Sequence, residues 1–300
     1  MIFRLKKEAK RCRAAIRAAL SGGKSPAGAG FRILMYHSVG GRPGDHALAI
    51  RVPADTFERE LKEIANSGYK TFTVSEIVKL HGLTAMASPS SGFRRGAEPC
   101  TESHSFTPSR IWLSGARAKA PQAISGTKAI AITFDDGYKD NITSAAARLK
   151  KYGLAATFFV TVSYIENAAP KRWRDGSRRE FMSWEDIKDI SGMGFEVGSH
   201  MVRHVDLSAL KEEEMLNELK RSKDIISGHI SKEVKSCSYP YGGISGKVTK
   251  AANRAGYIAA CSSFYGWNTP ATDQYILRRT EIDGYDTIND FRLKVNGFYD

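Results

Sequence analysis

The 300-residue chain predicts an α/β fold built on a parallel sheet or barrel. Three observations lead there. The run Lys128-Ala-Ile-Ala-Ile-Thr-Phe134 is almost continuously apolar, as an inner strand covered on both faces must be. Strand-like and helix-like stretches alternate with short links, the β-α-β arrangement of parallel sheets. His37, Asp135, Asp136 and His200 each follow a strand-like run, and α/β folds place their sites at the carboxyl ends of strands. Three hundred residues suffice for one large α/β barrel domain or two smaller ones.

Taken in order, the chain opens on a basic segment. Its formal net charge is +13, from 45 Lys and Arg against 32 Asp and Glu, and residues 1–24 alone contribute +7. Residues 1–30 therefore read as a basic N-terminal extension closed by the linker Ser21-Gly-Gly-Lys-Ser-Pro-Ala-Gly-Ala-Gly30. Such a helix-permissive segment suits a solvated extension, favoured slightly over peripheral contact with an anionic membrane. It lacks the apolar h-region of a secretory signal, and no 18-residue apolar run follows. The expected location is cytoplasmic or peripheral to the inner membrane, with an extracytoplasmic one left open. Cys12, Cys100, Cys237 and Cys261 show neither CxxC spacing nor a disulfide framework.

The folded domain is expected over residues 31–300. Its first strand covers 32–36 and delivers His37. Helix follows over about 55–67, with Phe57, Leu61 and Ile64 at helical spacing, then a strand at 69–74 and a helix to about 81. Residues 82–127 lose all periodicity and read as a flexible insertion, with a substrate-covering lid as the lesser alternative. The Asp-Asp strand comes next, then helix over 141–152 and a buried strand over 154–161. The basic stretch 171–179 reads as a surface loop, and no nucleic-acid motif accompanies it, so no nucleic-acid partner is expected. Helix at 183–190 and strand at 195–199 lead to His200 and His204. An amphipathic helix over 210–229 with Leu216, Leu219 and Ile226 inward precedes the strand ending at Tyr239-Pro-Tyr-Gly242. Helix at 246–255, strands at 257–262 and 275–282, and helix at 287–296 complete the pattern; no internal repeat is found.

Two of these strand ends carry metal chemistry as one reading. His200 and His204, one helical turn apart, can turn both imidazoles onto a single ion, although such a pair also arises by accident. Asp135-Asp136-Gly137 can close an ordinary strand in a turn or supply a carboxylate ligand. Two histidines and one carboxylate leave coordination positions open, as catalytic metal sites do, and a second aspartate could then act as general base.

Thr133-Phe-Asp-Asp-Gly137, Gly198-Ser-His-Met-Val-Arg-His204 with Leu207, and Tyr239-Pro-Tyr-Gly242 resemble three ordered motifs of the polysaccharide deacetylases, the NodB-like domain of carbohydrate esterase family four. Tyr36-His37, the Phe57 helix and Leu277-Arg-Arg279 extend the resemblance over roughly 31–298 apart from the insertion. It implies a single-domain distorted (β/α) barrel of about seven parallel strands. It also implies Asp135 as catalytic base, and Asp136, His200 and His204 as ligands of a divalent ion, most often zinc. Tyr241 would supply an oxyanion-binding backbone N–H. Trp184 and Tyr239 are candidates for the walls of a sugar groove or for the core.

The departures are specific. Met201 stands where many members have Ser or Thr, and Ser238 where many have an arginine that steers the base; the Tyr-Pro-Tyr-Gly subgroup fits better, with Arg279 as the steering candidate. No histidine follows His229, so the usual late general acid is missing and His37 is the candidate. The function expected is metal-dependent removal of N-acetyl groups from amino-sugar residues of a poly- or oligosaccharide. O-acetyl esterase, deformylase and inactive carbohydrate-binding module are the alternatives.

Overall fold

The computed structural model describes residues 2–22, 30–40, 50–82, 128–167, 171–172 and 178–300. The expected linker and insertion fall almost wholly outside these residues. Eight strands form the main sheet: β1 (Phe31–Tyr36), β2 (Tyr69–Phe72), β3 (Lys128–Phe134), β4 (Thr157–Val160), β5 (Glu196–Ser199), β6 (Ser236–Ser238), β7 (Ala259–Cys261) and β8 (Thr280–Glu281). Seven follow one another in the order β7-β6-β5-β4-β3-β1-β8, all pairs parallel. Strand β2 lies against Lys128–Ala131 of β3, and β4 takes over at Thr133.

The sheet curls until its ends meet. Cys261 in β7 forms a parallel bridge to Leu277, just ahead of β8. Leu277 N–H donates to Ala260 O at 3.0 Å, and Ser262 N–H to Leu277 O at 2.8 Å. The expected single-domain distorted (β/α) barrel of seven parallel strands is the architecture observed. The long final strand expected over 275–282 is interrupted. A turn binds Tyr275 N–H to Asp273 Oδ1 at 2.8 Å, and Asn268 exchanges side-chain hydrogen bonds with the Arg278 backbone, occupying groups a ladder would need.

Parity along the strands sorts the core into two bodies. On β3, Ile130, Ile132 and Phe134 face the helical layer while Ala129 and Ala131 face the barrel interior, as successive strand residues must. The interior also holds Phe31, Ile33, Phe159, Cys261 and Leu277. Continuing that parity carries Thr133 and Asp135 inward on β3, and Arg279 inward two residues beyond Leu277. Arg279 is indeed buried, its guanidinium 5.9 Å from the Phe159 ring.

The helices are α1 (Ile2–Leu20), α2 (Ala54–Asn66), α3 (Val74–Leu80), α4 (Ala147–Lys151), α5 (Val162–Glu166), α6 (Trp184–Gly192), α7 (Glu212–Ile230), α8 (Gly246–Arg254) and α9 (Ile288–Val295). Capping boxes start α3, α6 and α9, at Thr73/Glu76, Ser183/Asp186 and Thr287/Asp290. Helix α3 closes the interior, packing Val74, Ile77 and Val78 into it. The segment before α4 is a π-helical turn, Asn141–Ala146, a feature frequent at functional sites. On α7 the inward face differs from expectation: Met215, Glu218, Leu219, Ser222 and Ile226 are buried, and Leu216 only partly.

The N-terminal helix is a further correction. It packs against α9 instead of extending into solvent. Arg11 pairs with Asp290 at 2.7 Å and donates to Tyr285 O at 2.9 Å; Ala14 is buried, and Arg17 donates to Asp300 O. Two basic side chains that prompted the membrane reading are thus turned onto the domain, which gives that reading no support. No helix among the described residues is long and apolar enough to cross a membrane. The stretch expected as a basic surface loop contains a small antiparallel pair, Lys171–Arg172 with Arg178–Arg179, and residues 173–177 lie outside the described residues.

Candidate functional site

At the carboxyl ends of the strands opens a cavity of about 300 Å³. It is lined by His37, Asp135, Asp136, His200, His204, Tyr241 and Arg279, so all seven residues expected at a site reach one space. Ser238, noted in the sequence only for the arginine it replaces, and Asn141, not singled out there, support the site through Asp135 and His37.

Asp135 is buried and held by a two-pronged pair: Arg279 Nη1 to Oδ1 and Nη2 to Oδ2, both 2.7 Å. Arg279 Nη2 also donates to Ser238 Oγ at 2.8 Å, and its Nε to Ser262 O at 2.8 Å. Ser238 Oγ in turn donates to Asp135 Oδ2 at 3.2 Å. Where an arginine was missed at position 238, a small hydroxyl leaves room for a guanidinium from β8's approach. Burial resists ionising Asp135, but the facing Arg279 charge and its hydrogen bonds, with His200 and His37 nearby, together outweigh it and hold the carboxyl below its usual value.

Asp136 takes the left-handed backbone, φ 75°, which turns its carboxylate away from Asp135. Its Oδ1 is buried without a hydrogen-bond partner among the described residues. Facing it are His204 Nε2 at 3.2 Å and His200 Nε2 at 3.5 Å. His200 Nδ1 lies 2.8 Å from Ser238 O. A carbonyl only accepts, so Nδ1 carries the proton and Nε2 presents its lone pair. Burial lowers the His200 pKa to about 4, so the ring is neutral, as ligation requires. Burial opposes ionisation of Asp136 too, but the surrounding imidazoles hold its carboxyl well below the usual range.

The three ligand-type atoms of Asp136, His200 and His204 lie within 4.8 Å of one another. An orphaned carboxylate oxygen facing two imidazole nitrogens, one with its lone pair directed by the opposite ring nitrogen, fits a divalent cation. These N, N, O donors could hold it.

Asp136, Met201 (φ 71°) and Tyr241 (φ 57°) are three of the four non-glycine residues with positive φ among the described residues. Each costs of order 1–3 kcal/mol and persists only where the surroundings over-determine it, which is why such residues gather at functional sites. The fourth, Ser231, merely ends α7. Gly242 after Tyr241 is also left-handed, φ 68°, and a Cβ there would lie 1.7 Å from Ser263 Oγ. Tyr241 is 72 % exposed, its ring edge-on to His204 with centroids 4.5 Å apart.

His37 sits at the rim, its carbonyl accepting from Asn141 Nδ2 at 2.8 Å at the start of the π-helical turn. Tyr138 and Arg179 line the cavity as well, with Arg179 Nη1 3.2 Å from the Tyr138 hydroxyl. The sequence placed Arg179 in a surface loop; only the fold turns it inward. Tyr239 touches the cavity but is 1 % exposed and donates from its hydroxyl to Tyr275 O at 3.1 Å. Trp184 stacks on His229 with ring centroids 3.8 Å apart and does not line the cavity.

A curled parallel barrel with a carboxylate–imidazole cluster and a buried arginine-bound aspartate at its mouth defines the class: a (β/α) barrel with an enzyme-like centre. Comparison with known proteins narrows this. Residues 123–260 match the family model for polysaccharide deacetylase. A putative polysaccharide deacetylase of Bacillus subtilis is 26 % identical over 83 % of this chain and 70 % of its own length. The peptidoglycan-N-acetylglucosamine deacetylase of Bacillus cereus is 27 % identical over 50 % of this chain and 65 % of its own. Among solved structures, a Streptococcus pyogenes deacetylase in complex with acetate superposes with a TM-score of 0.67, covering 89 % of this chain and 98 % of that one at 20 % identity, a likeness of fold. The chain is thus similar to polysaccharide deacetylases, over residues 123–260 by the family model and over most of its length by the Bacillus subtilis relative.

Proposed function

We infer that the chain is a metal-dependent deacetylase that removes N-acetyl groups from amino-sugar residues of a glycan, with zinc as the resident ion. The observation that carries this is the division of labour between adjacent carboxylates: Asp136 Oδ1 faces two imidazole nitrogens, while Asp135 is locked to Arg279. The family match and the names of the relatives, which include a peptidoglycan-N-acetylglucosamine deacetylase and a chitooligosaccharide deacetylase, agree with it.

Asp136, His200 and His204 would hold the ion, which when bound supplies Lewis acidity toward a carbonyl oxygen. Asp135, ionised at neutral pH, accepts a proton from the attacking water. Arg279 keeps that carboxylate charged and fixed in direction. The Tyr241 backbone N–H donates to the oxyanion that develops as water adds to the acetyl carbon. His37, which lines the same cavity, gives a proton to the amide nitrogen as the C–N bond breaks, leaving acetate and a free amine. His37 thereby takes the place of the late histidine that the sequence lacks.

Acetate release from acetylated chito-oligosaccharide or poly-N-acetylglucosamine tests the reading. Release abolished by a chelator, restored by zinc and lost in Asp135→Asn is the expected result. Glycan binding without release from any acetylated or formylated substrate would sink it in favour of a binding module; release from O-acetyl esters alone would redirect it to an esterase.

A further inference from the structure

The loop between the two histidines turns on a left-handed residue and is held by a buried carboxylate outside the cavity. Met201, fully buried at φ 71°, reverses the chain after His200 so that His204 can return to Asp136. Glu218, on the inward face of α7 and 3 % exposed, does not line the cavity. One of its oxygens, Oε2, accepts from Val202 N–H at 3.0 Å and from Arg203 N–H at 2.9 Å. Its Oε1 accepts from Arg203 Nε at 2.5 Å.

These two backbone donors belong to the residues between the histidines. Both converge on one oxygen of the buried Glu218, so removing that carboxylate takes the acceptor from two successive N–H groups of the turn at once. His200 has its own anchor in Ser238 O. On the other side of the loop Ser163 N–H donates to Val202 O at 2.9 Å, which fixes Val202 without reaching Arg203 or His204. Glu218 is the contact that ties the last part of the turn to a helix.

We propose that Glu218 is a positioning residue for the metal centre: it holds the 201–203 turn in the form that delivers His204 Nε2 to Asp136 Oδ1. The inference rests on the metal reading above and adds a residue that touches neither ion nor substrate. Loss of such an outer contact characteristically weakens metal binding by about 10- to 100-fold. The effect falls on the His204 side, because His200 and the Asp135–Arg279 pair have separate supports.

The test is zinc affinity, measured on the full chain by competition with a chromophoric chelator, with cobalt absorption as a second readout. Measurements are made well below the unfolding temperature of every variant. Glu218→Ala is expected to bind zinc about 10- to 100-fold more weakly and to shift the cobalt bands. Glu218→Gln, which keeps one oxygen in place for both N–H groups, is expected near native affinity. Glu218→Asp, which keeps the charge but withdraws it by a methylene, is expected to behave like the alanine variant and carries the test if that variant does not fold. Arg203→Ala should bind as the native protein does, since that side chain is mostly exposed. Ile226→Ala, a core truncation on the same helix, supplies the control: it loses stability but keeps native affinity. Native-like affinity and cobalt spectra in Glu218→Ala and Glu218→Asp, or a loss no greater than in Ile226→Ala, would overturn the proposal. A native protein that binds no zinc would instead overturn the metal reading beneath it.

Discussion

Replacing Arg279 by methionine isolates what the buried pair contributes. The native guanidinium makes two 2.7 Å bonds to Asp135 and further bonds to Ser238 Oγ and Ser262 O, all out of solvent. Methionine fills much of the space and removes every donor, leaving a buried carboxylate with only the Ser238 hydroxyl. Removing one partner of a buried pair costs about 3–5 kcal/mol, dominated by the stranded charge. The sign with pH follows from the pair. In the native protein the Asp135 pKa is depressed, so the pair stabilises above the unfolded carboxyl's value of 3.8 and its contribution is lost as pH falls through the folded value. In Arg279→Met burial acts unopposed by the guanidinium and raises that pKa, so the variant loses stability as pH climbs past 3.8. Urea unfolding with chelator present should therefore show a small deficit near pH 4 and the full ~3–5 kcal/mol at pH 7. Adding Asp135→Asn to Arg279→Met should recover part of the deficit, since no charge is then stranded. A pH-independent deficit, or unchanged stability at pH 7, would refute the assignment of Arg279 as the group that keeps Asp135 ionised.

Other expectations concern chemistry and fold separately. Asp135→Asn and His37→Ala should each lower kcat for acetate release by about 10²–10⁴-fold while zinc stays bound; full turnover in His37→Ala would remove it as the proton donor. Glu60, buried on α2 with Tyr36 OH 3.0 Å from its Oε2, has its carboxyl raised from 4.5 to about 8 by burial. Between those values the folded protein holds a proton that the unfolded chain has released, so stability falls as pH rises across that window. At about 1.4 kcal/mol per pH unit the fall amounts to ~5 kcal/mol. Glu60→Gln should flatten the curve and be the more stable protein at pH 8; an unchanged slope would show that the carboxyl titrates normally. Gly242→Ala must fit a Cβ 1.7 Å from Ser263 Oγ on a left-handed backbone. It should lower the unfolding midpoint and kcat together, a loss of at least ~1 kcal/mol being expected from the backbone alone.

The sequence made the barrel legible because its signal is local. Strand β3 announces itself in Lys128–Phe134, the helix at Phe57 carries apolar periodicity, the helix at Thr287 starts on a capping box, and both motif ends lie at strand termini. The α7 helix shows the limit. Periodicity predicted Leu216 inward, whereas Glu218 is the residue buried, because its acceptors meet donors from a loop 15 residues away and no spacing rule registers that. The N-terminal helix was misread for a related reason: charge suggested solvent, but Arg11 has a specific partner in Asp290, 279 residues distant.

By itself the sequence determined the fold class, the order of the elements and the residue types available for chemistry at the strand ends. These follow from hydrophobic period, turn residues and motif spacing within short windows. Only the tertiary structure decided that Asp135 faces the barrel interior and Arg279 while Asp136 swings to the histidines. Adjacent strand residues diverge by parity, but which partner each meets depends on the curl that carries residues 277–281 back to β1 and β7. The strained turns at Asp136, Met201 and Tyr241 were likewise invisible in one dimension, since their positive φ is imposed by contacts from distant segments and not by their own side chains.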